Sequence, residues 1–247
     1  MPKRRLLSEV PVSEIAARVD ATEKRCLIIF SGGEPFLFPD FVELCRLITR
    51  NHSIELVTNL SSRRVLDFAE KINPSKVELV EISLHISELK RKNLLNNFID
   101  NIRLLKTKGF NIKVTYVMYP PLVKRFERDY DFFISHGVEV EPRLYRGLYR
   151  LRKYPKSYNR NEKAIISKYI ASPLGNLLAS KPAFKGKICS AGRSSVVIHH
   201  DGKICRCQGD QKQIGNFITQ GITLFDMPKK CTSSSCPCPS EGLRNVL

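Results

Sequence analysis

The sequence predicts an α/β fold built on a parallel sheet. Short apolar runs that read as strands recur five times between residues 26 and 144, and amphipathic stretches at helical spacing separate them. The strands are near-continuously apolar, as in a sheet covered by helices. An open or partial βα barrel and a doubly wound sheet both produce this rhythm, and both place a ligand at the carboxyl ends of the strands.

The elements follow in order. Residues 13–19 read as a short helix with Ile15, Ala16 and Val19 on one face. Residues 26–30 are the first strand, and Ser31-Gly32-Gly33-Glu34-Pro35 follows it. Helix 39–50 spaces Phe41, Leu44, Cys45 and Ile48 on one side; strand 53–60 passes through Thr58-Asn59, and Ser61 opens helix 61–72. Strand 77–86 and helix 93–108, stopped by Gly109, come next, then strand 111–119, broken by Pro120-Pro121. Helix 124–135 ends near Gly137, and strand 138–144 completes the series. Residues 145–172 form a Tyr- and Arg-rich connector with a short helix at 161–169, and 172–187 reads as loop. From residue 188 the composition turns to cysteine, glycine and turn residues.

Composition sets limits on function. The 247 residues carry a net charge of +17, so the expected partners are anionic: an acidic peptide, a small anionic metabolite or nucleic acid. No apolar run approaches the roughly 18–20 residues that cross a bilayer, and the basic start lacks the apolar core of a signal peptide. The expected address is cytoplasmic, with no membrane partner. Six of the eight cysteines crowd into the last 59 residues, which in a reducing compartment favours metal ligation over disulfides. Cys26 and Cys45 read as core thiols.

The glycine loop carries the most information. Adjacent glycines admit a ligand close to the backbone, Glu34 offers a carboxylate suited to an ammonium group, and Pro35 fixes the turn. Placed between an apolar strand and a helix, Gly32-Gly33-Glu34-Pro35 resembles the S-adenosylmethionine-binding loop of the radical S-adenosylmethionine (radical SAM) enzymes. Thr58-Asn59 resembles the end of that family's third strand, and Ser83 resembles a serine that faces the cofactor from its fourth. The resemblance covers most of residues 8–146 and implies a partial (β/α)6-type barrel lacking its first strand. It also implies cofactor contacts at Gly32, Gly33, Glu34, Pro35, Asn59 and Ser83. One family feature is missing: no CxxxCxxC, which holds the family's reactive 4Fe–4S cluster, occurs in these residues. The expected explanation is truncation at an internal methionine; the alternative is a degenerate, non-catalytic relative.

The tail from Cys189 reads as a hairpin turning at Asp201-Gly202, with Val196–Ile198 on one side and Lys203–Cys205 on the other. Gly215-Asn216 reads as another turn. Cys189, Gly202 and Cys207 resemble the opening of the SPASM and twitch auxiliary-cluster domains, while the spacing of Cys231, Cys236 and Cys238 departs from the SPASM ending. The resemblance implies one auxiliary 4Fe–4S cluster held by Cys189, Cys207 and two of Cys231, Cys236 and Cys238; structural zinc is the alternative.

The connector interleaves cations with tyrosines from Arg143 to Tyr154, with Arg143 and Arg146 nearest the rim as candidates for an anionic substrate group. The expected domains are a partial barrel at 1–146, a connector at 147–187 and an iron–sulfur tail at 188–247. The functional expectation is a SAM-binding protein that modifies a peptide or small anionic substrate, served by a reductase or other electron donor. The alternative is a basic, zinc-stapled nucleic-acid-binding module.

Overall fold

The computed structural model of the chain describes residues 5–170, 184–234 and 236. These divide into two units, one holding Arg25 to Ile170 and the other combining the residues up to Lys24 with those from Phe184 on. Helix α1 (Val12–Asp20) therefore belongs with the cysteine-rich tail, which its amphipathic pattern could not indicate.

The larger unit is built on a parallel sheet of five strands in the order β1-β2-β3-β4-β5. They are β1 (Leu27–Phe30), β2 (Ser53–Thr58), β3 (Val77–Ser83), β4 (Ile112–Met118) and β5 (Val140–Leu144). A doubly wound sheet reverses direction near its middle; this one does not. Right-handed crossovers that advance one way put every connecting helix on one face, which is barrel geometry. The strands alternate accordingly. Ile54, Leu56, Val80, Ile82, Val114 and Tyr116 are buried on the helix side. The opposite face carries Glu55, Glu81, Ser83, Lys113, Glu141 and Arg143, so the strands are less uniformly apolar than the sequence reading had them.

The helices are α2 (Phe41–Ile48), α3 (Arg64–Lys71), α4 (Ile86–Arg91), α5 (Leu95–Thr107), the short α6 (Pro120–Val123), α7 (Phe126–Ser135) and α8 (Arg160–Tyr169). The sequence pattern missed α4, whose six residues are too few to display a period, and ended β3 too late. Cys45 lies in the core, where burial pushes its thiol pKa up, whereas Cys26 is half-buried just before β1. An aromatic column fills the space behind the glycine loop. Ring centroids stand 5.2 Å apart for Phe30–Phe41, 5.3 Å for Phe36–Phe41, 5.7 Å for Phe36–Phe68 and 5.4 Å for Phe68–Phe110. Such pairs add about 0.5–1.5 kcal/mol each beyond their area burial.

Beyond β5 the first part of the connector takes regular structure. It folds into a hairpin of β6 (Gly147–Tyr149) and β7 (Arg152–Tyr154), joined by Arg150 at φ +46 and Leu151 at φ +61. Two positive φ values match a two-residue hairpin turn, but Asn-Gly is the usual occupant, and Arg-Leu there costs about 1–2 kcal/mol per residue. The root is fixed by tyrosines. Tyr119 meets Tyr145 and Tyr149 edge-on at 5.1 Å each, and Tyr154 meets Tyr158 at 4.8 Å. The Tyr158 hydroxyl, its pKa pushed up to about 12 by burial, donates to the Met118 carbonyl.

In the other unit, β9 (Val197–Ile198), β10 (Lys203–Cys207) and β11 (Asp210–Asn216) form an antiparallel sheet. Strand β11 extends through Gly215-Asn216, which the sequence reading took as a turn; Asn216 instead caps α9 (Phe217–Gln220). A second ladder pairs β8 (Ile188–Cys189) with β12 (Lys229–Lys230). Helix α1 joins this unit through Arg18, which donates to the Phe217 carbonyl at 3.1 Å, while Leu7 N–H donates to the His200 carbonyl at 2.8 Å. No helix among the described residues is long and apolar enough to cross a membrane.

Arg206 ties the two ladders together. Its guanidinium is buried and donates to the carbonyls of Ala191 at 3.2 Å, Cys189 at 3.3 Å, Lys229 at 3.2 Å and Lys230 at 2.9 Å. Gly192 lets Phe225 lie against it, because a Cβ there would meet the Phe225 ring at 2.6 Å. Replacing Arg206 with Met removes the donor from four carbonyls, and the buried ones of Cys189 and Ala191 cost about 1–3 kcal/mol each when left without one. We expect the R206M variant to lose hydrogen-exchange protection across β8, β10 and β12 while the β1–β5 amides keep theirs. Unchanged protection in the tail would refute the stapling role.

Candidate functional site

The carboxyl ends of the strands bring the sequence-derived residues to one rim of the parallel sheet. Gly32 and Gly33 follow β1 with φ of +88 and +62, conformations that L side chains resist. A Cβ added to either would meet nothing within 4 Å, so the glycines serve backbone shape and leave the loop open to a ligand. Pro35 starts a single 3-10 turn, Pro35–Leu37, and buries with Phe36 into the aromatic column.

Glu34 has a role that the sequence did not disclose. One carboxylate oxygen accepts from the Thr58 hydroxyl at 2.7 Å and from Phe36 N–H at 3.3 Å; the other accepts from Asn59 N–H at 2.8 Å. The side chain thus fastens the loop after β1 to the end of β2. A carboxylate offers about four lone-pair directions, so these donors leave one for a ligand ammonium group. Asn59 contributes its backbone, while its side-chain oxygen accepts from Ser61 N–H at 2.9 Å. Arg64 clamps the far side, donating to the Phe36 and Phe38 carbonyls at 3.1 and 3.0 Å. Thr58 and Arg64 were legible only as a strand end and a helix start.

Ser83 ends β3 on the polar face, two residues beyond Glu81. Glu81 accepts from Arg143 at 2.7 Å and from the Thr115 hydroxyl at 3.3 Å, a bridge across β3, β4 and β5. Arg143 is therefore engaged. Arg146 differs: its Nη2 is buried and has no hydrogen-bond acceptor among the described residues. Burial, and next the Arg143 charge, push its guanidinium pKa below the usual value. A groove beside Asn59 is lined by His85, Glu88, Leu89 and Lys92 among others.

The tail cysteines are less convergent. Cys189 is buried in β8, and Cys231, whose N–H donates to Lys187 O at 2.9 Å, falls on the same side of the β8–β12 ladder. Cys207 ends β10, where burial pushes its thiol pKa up against the opposing backbone N–H groups of Gly209 and Asp210. Cys205, the spare in the sequence reading, is buried with its thiol directed at Gln211 O at 3.4 Å. Cys236 is half-buried, and Cys238 lies outside the described residues. Among the described residues no three His, Cys, Asp or Glu side chains come together as a metal requires. The described cysteines by themselves therefore do not complete a four-thiolate site.

A one-directional parallel βα sheet with an open glycine loop at its carboxyl rim defines a barrel-type α/β protein. The model of the Radical SAM superfamily matches residues 2–133, and the chain belongs to that superfamily. Among solved structures, anSMEcpe with bound AdoMet is similar at 17% identity and a TM-score of 0.58, over 88% of this chain and 70% of that one. The same protein with AdoMet and a Kp18Cys peptide gives 17% identity and a TM-score of 0.57, over 85% and 69%. Streptococcus suis SuiB bound to the precursor peptide SuiA gives 16% identity and a TM-score of 0.55, over 86% of this chain and 57% of SuiB. At these identities the likeness is one of fold. No curated protein sequence matches the chain.

Because Glu34 holds the loop through both carboxylate oxygens, Glu34→Gln places an amide N–H₂ against either the Thr58 hydroxyl or the Asn59 N–H and keeps an acceptor for the other alone. We expect a loss of about 2 kcal/mol in chemical denaturation, in the range for hydrogen bonds to a charged group, and faster amide exchange at Gly32 and Gly33. An unchanged midpoint would show that the clamp is not needed.

Proposed function

We propose that this chain binds S-adenosylmethionine against the Gly32–Gly33 loop and presents a peptide substrate to it. The observation that carries the reading is the open loop itself: glycine-built, unfilled by any side chain and fixed to the neighbouring strand by Glu34. Its backbone groups and the remaining lone pair of Glu34 suit the amine of the methionine moiety, with Asn59 and Ser83 beside it on the rim. Cleaved by one electron at its sulfonium C–S bond, this cofactor supplies radical chemistry; an electron donor and the family's cluster are partners of that step.

The peptide reading draws on the structural neighbours, whose complexes hold a Kp18Cys peptide and the precursor peptide SuiA. Arg146 is the better candidate of the two arginines for a substrate carboxylate, since Arg143 is neutralised by Glu81. For the tail we propose a SPASM/twitch-like auxiliary site drawing on Cys189, Cys207, Cys231, Cys236 and Cys238. Its support is the pair of N–H groups facing Cys207 and the shared ladder face of Cys189 and Cys231.

Two measurements test these readings. Isothermal titration of the folded chain with S-adenosylmethionine should release heat, Gly33→Val should weaken binding about tenfold or more, and Ser83→Ala about threefold. No heat from folded protein would end the cofactor reading. Anaerobic reconstitution should load about four irons per chain, lost on replacing Cys207 with Ser. Stoichiometric zinc without iron would end the auxiliary-cluster reading.

A further inference from the structure

We propose that the β6–β7 hairpin is a docking element for an acidic peptide segment that carries apolar side chains. The inference deepens the peptide-substrate reading and rests on it for its biological sense. Leu151, at the turn, is 100% exposed and Leu148 on β6 is 70% exposed. A rigid tyrosine root holds both leucines out rather than folding them back. Leu151 also stands in a left-handed turn that Asn-Gly would occupy with less strain, so the sequence here departs from the local optimum. Departures of that kind gather at sites with a function.

Charge names the partner. Seven cations and no carboxylate lie between Glu141 and Glu162. Of these, Arg150, Arg152, Lys153 and Lys156 are exposed and make no ion pair among the described residues. A leucine pair framed by such cations complements a chain that alternates carboxylates with apolar groups. Nucleic acid fits less well. Stacking of bases needs open aromatic faces, and here Tyr149 packs against Tyr119 with Arg150 5.4 Å from its ring. The tip offers leucine instead.

The test uses the full chain and a fluorescein-labelled peptide of glutamates interspersed with single leucines, read by anisotropy without cofactor. A lysine-for-glutamate peptide, a single-stranded oligonucleotide and phosphatidylglycerol vesicles are the comparisons. We expect the acidic peptide to bind, its affinity to fall as salt rises, and both L148S/L151S and R150E/R152E to weaken it about tenfold or more. Circular dichroism and S-adenosylmethionine titration of the variants should match the parent, which separates a docking defect from misfolding. Equal peptide affinity in the variants, or tighter binding of the oligonucleotide or the vesicles than of the peptide, would overturn the proposal. Since peptide binding is read without cofactor, its failure leaves the S-adenosylmethionine reading standing, and the reverse also holds.

Discussion

A single carboxylate holds the rim together. Glu34 accepts from Thr58, Asn59 and Phe36, and through them joins the first two strand ends of the parallel sheet. The glycines that precede it have no side chains to anchor them and the widest backbone freedom of any residue. They stay in one conformation because the chain is pinned immediately after them, by Glu34 above and by Phe36 in the aromatic column below. Charge-assisted bonds are shorter and stronger than neutral ones, and a half-buried site protects them further from water. Loop shape, its openness and the order of the sheet rim thus share one origin.

The polar face follows from topology rather than from any motif. Once every crossover advances the same way, helices cover one face, and the other must tolerate water or ligand. Glu81, Thr115 and Arg143 make that face an internally neutralised network. Arg146, just past β5, stands outside it with a buried nitrogen that has no acceptor among the described residues. A guanidinium nitrogen in that state is a standing demand for an anion, because desolvation has been incurred without a partner. The face is therefore matched internally along the strands and unmatched at the rim.

Much of this was legible in sequence because strands and loops announce themselves by different physics. The runs at 26–30 and 111–119 are apolar and bounded by glycine, asparagine or proline, so both existence and order could be read. The hairpin at 147–154 could not: its turn is Arg-Leu, which carries no turn signal, and its strands are three residues long. Strand β11 was hidden because Asp210–Asn216 has Ile214 as its single large apolar residue and owes its place to pairing with β10. The glycine loop was read correctly as a loop, but Glu34's partners lie some 24 and 25 residues away, beyond any local pattern. Helix α1 shows the same limit, since an apolar stripe states that a helix packs without stating on what.

The tail holds a polar staple of the kind a small domain needs. Units of this size bury too little apolar surface to hold themselves and usually depend on disulfides or a metal. Here a buried guanidinium gathers four carbonyls from β8, β12 and the segment between β8 and β9. Arg suits the task because its planar fork presents five donors in fixed directions, so one side chain can meet several backbone segments at once. The charge is solvated by peptide dipoles, and at the neighbouring Cys207 it favours a thiolate while burial, the larger effect, and the Asp210 carboxylate oppose one. The same residue thus supplies the mechanical tie and one part of the electrostatic setting of the two cysteines that flank it on β10.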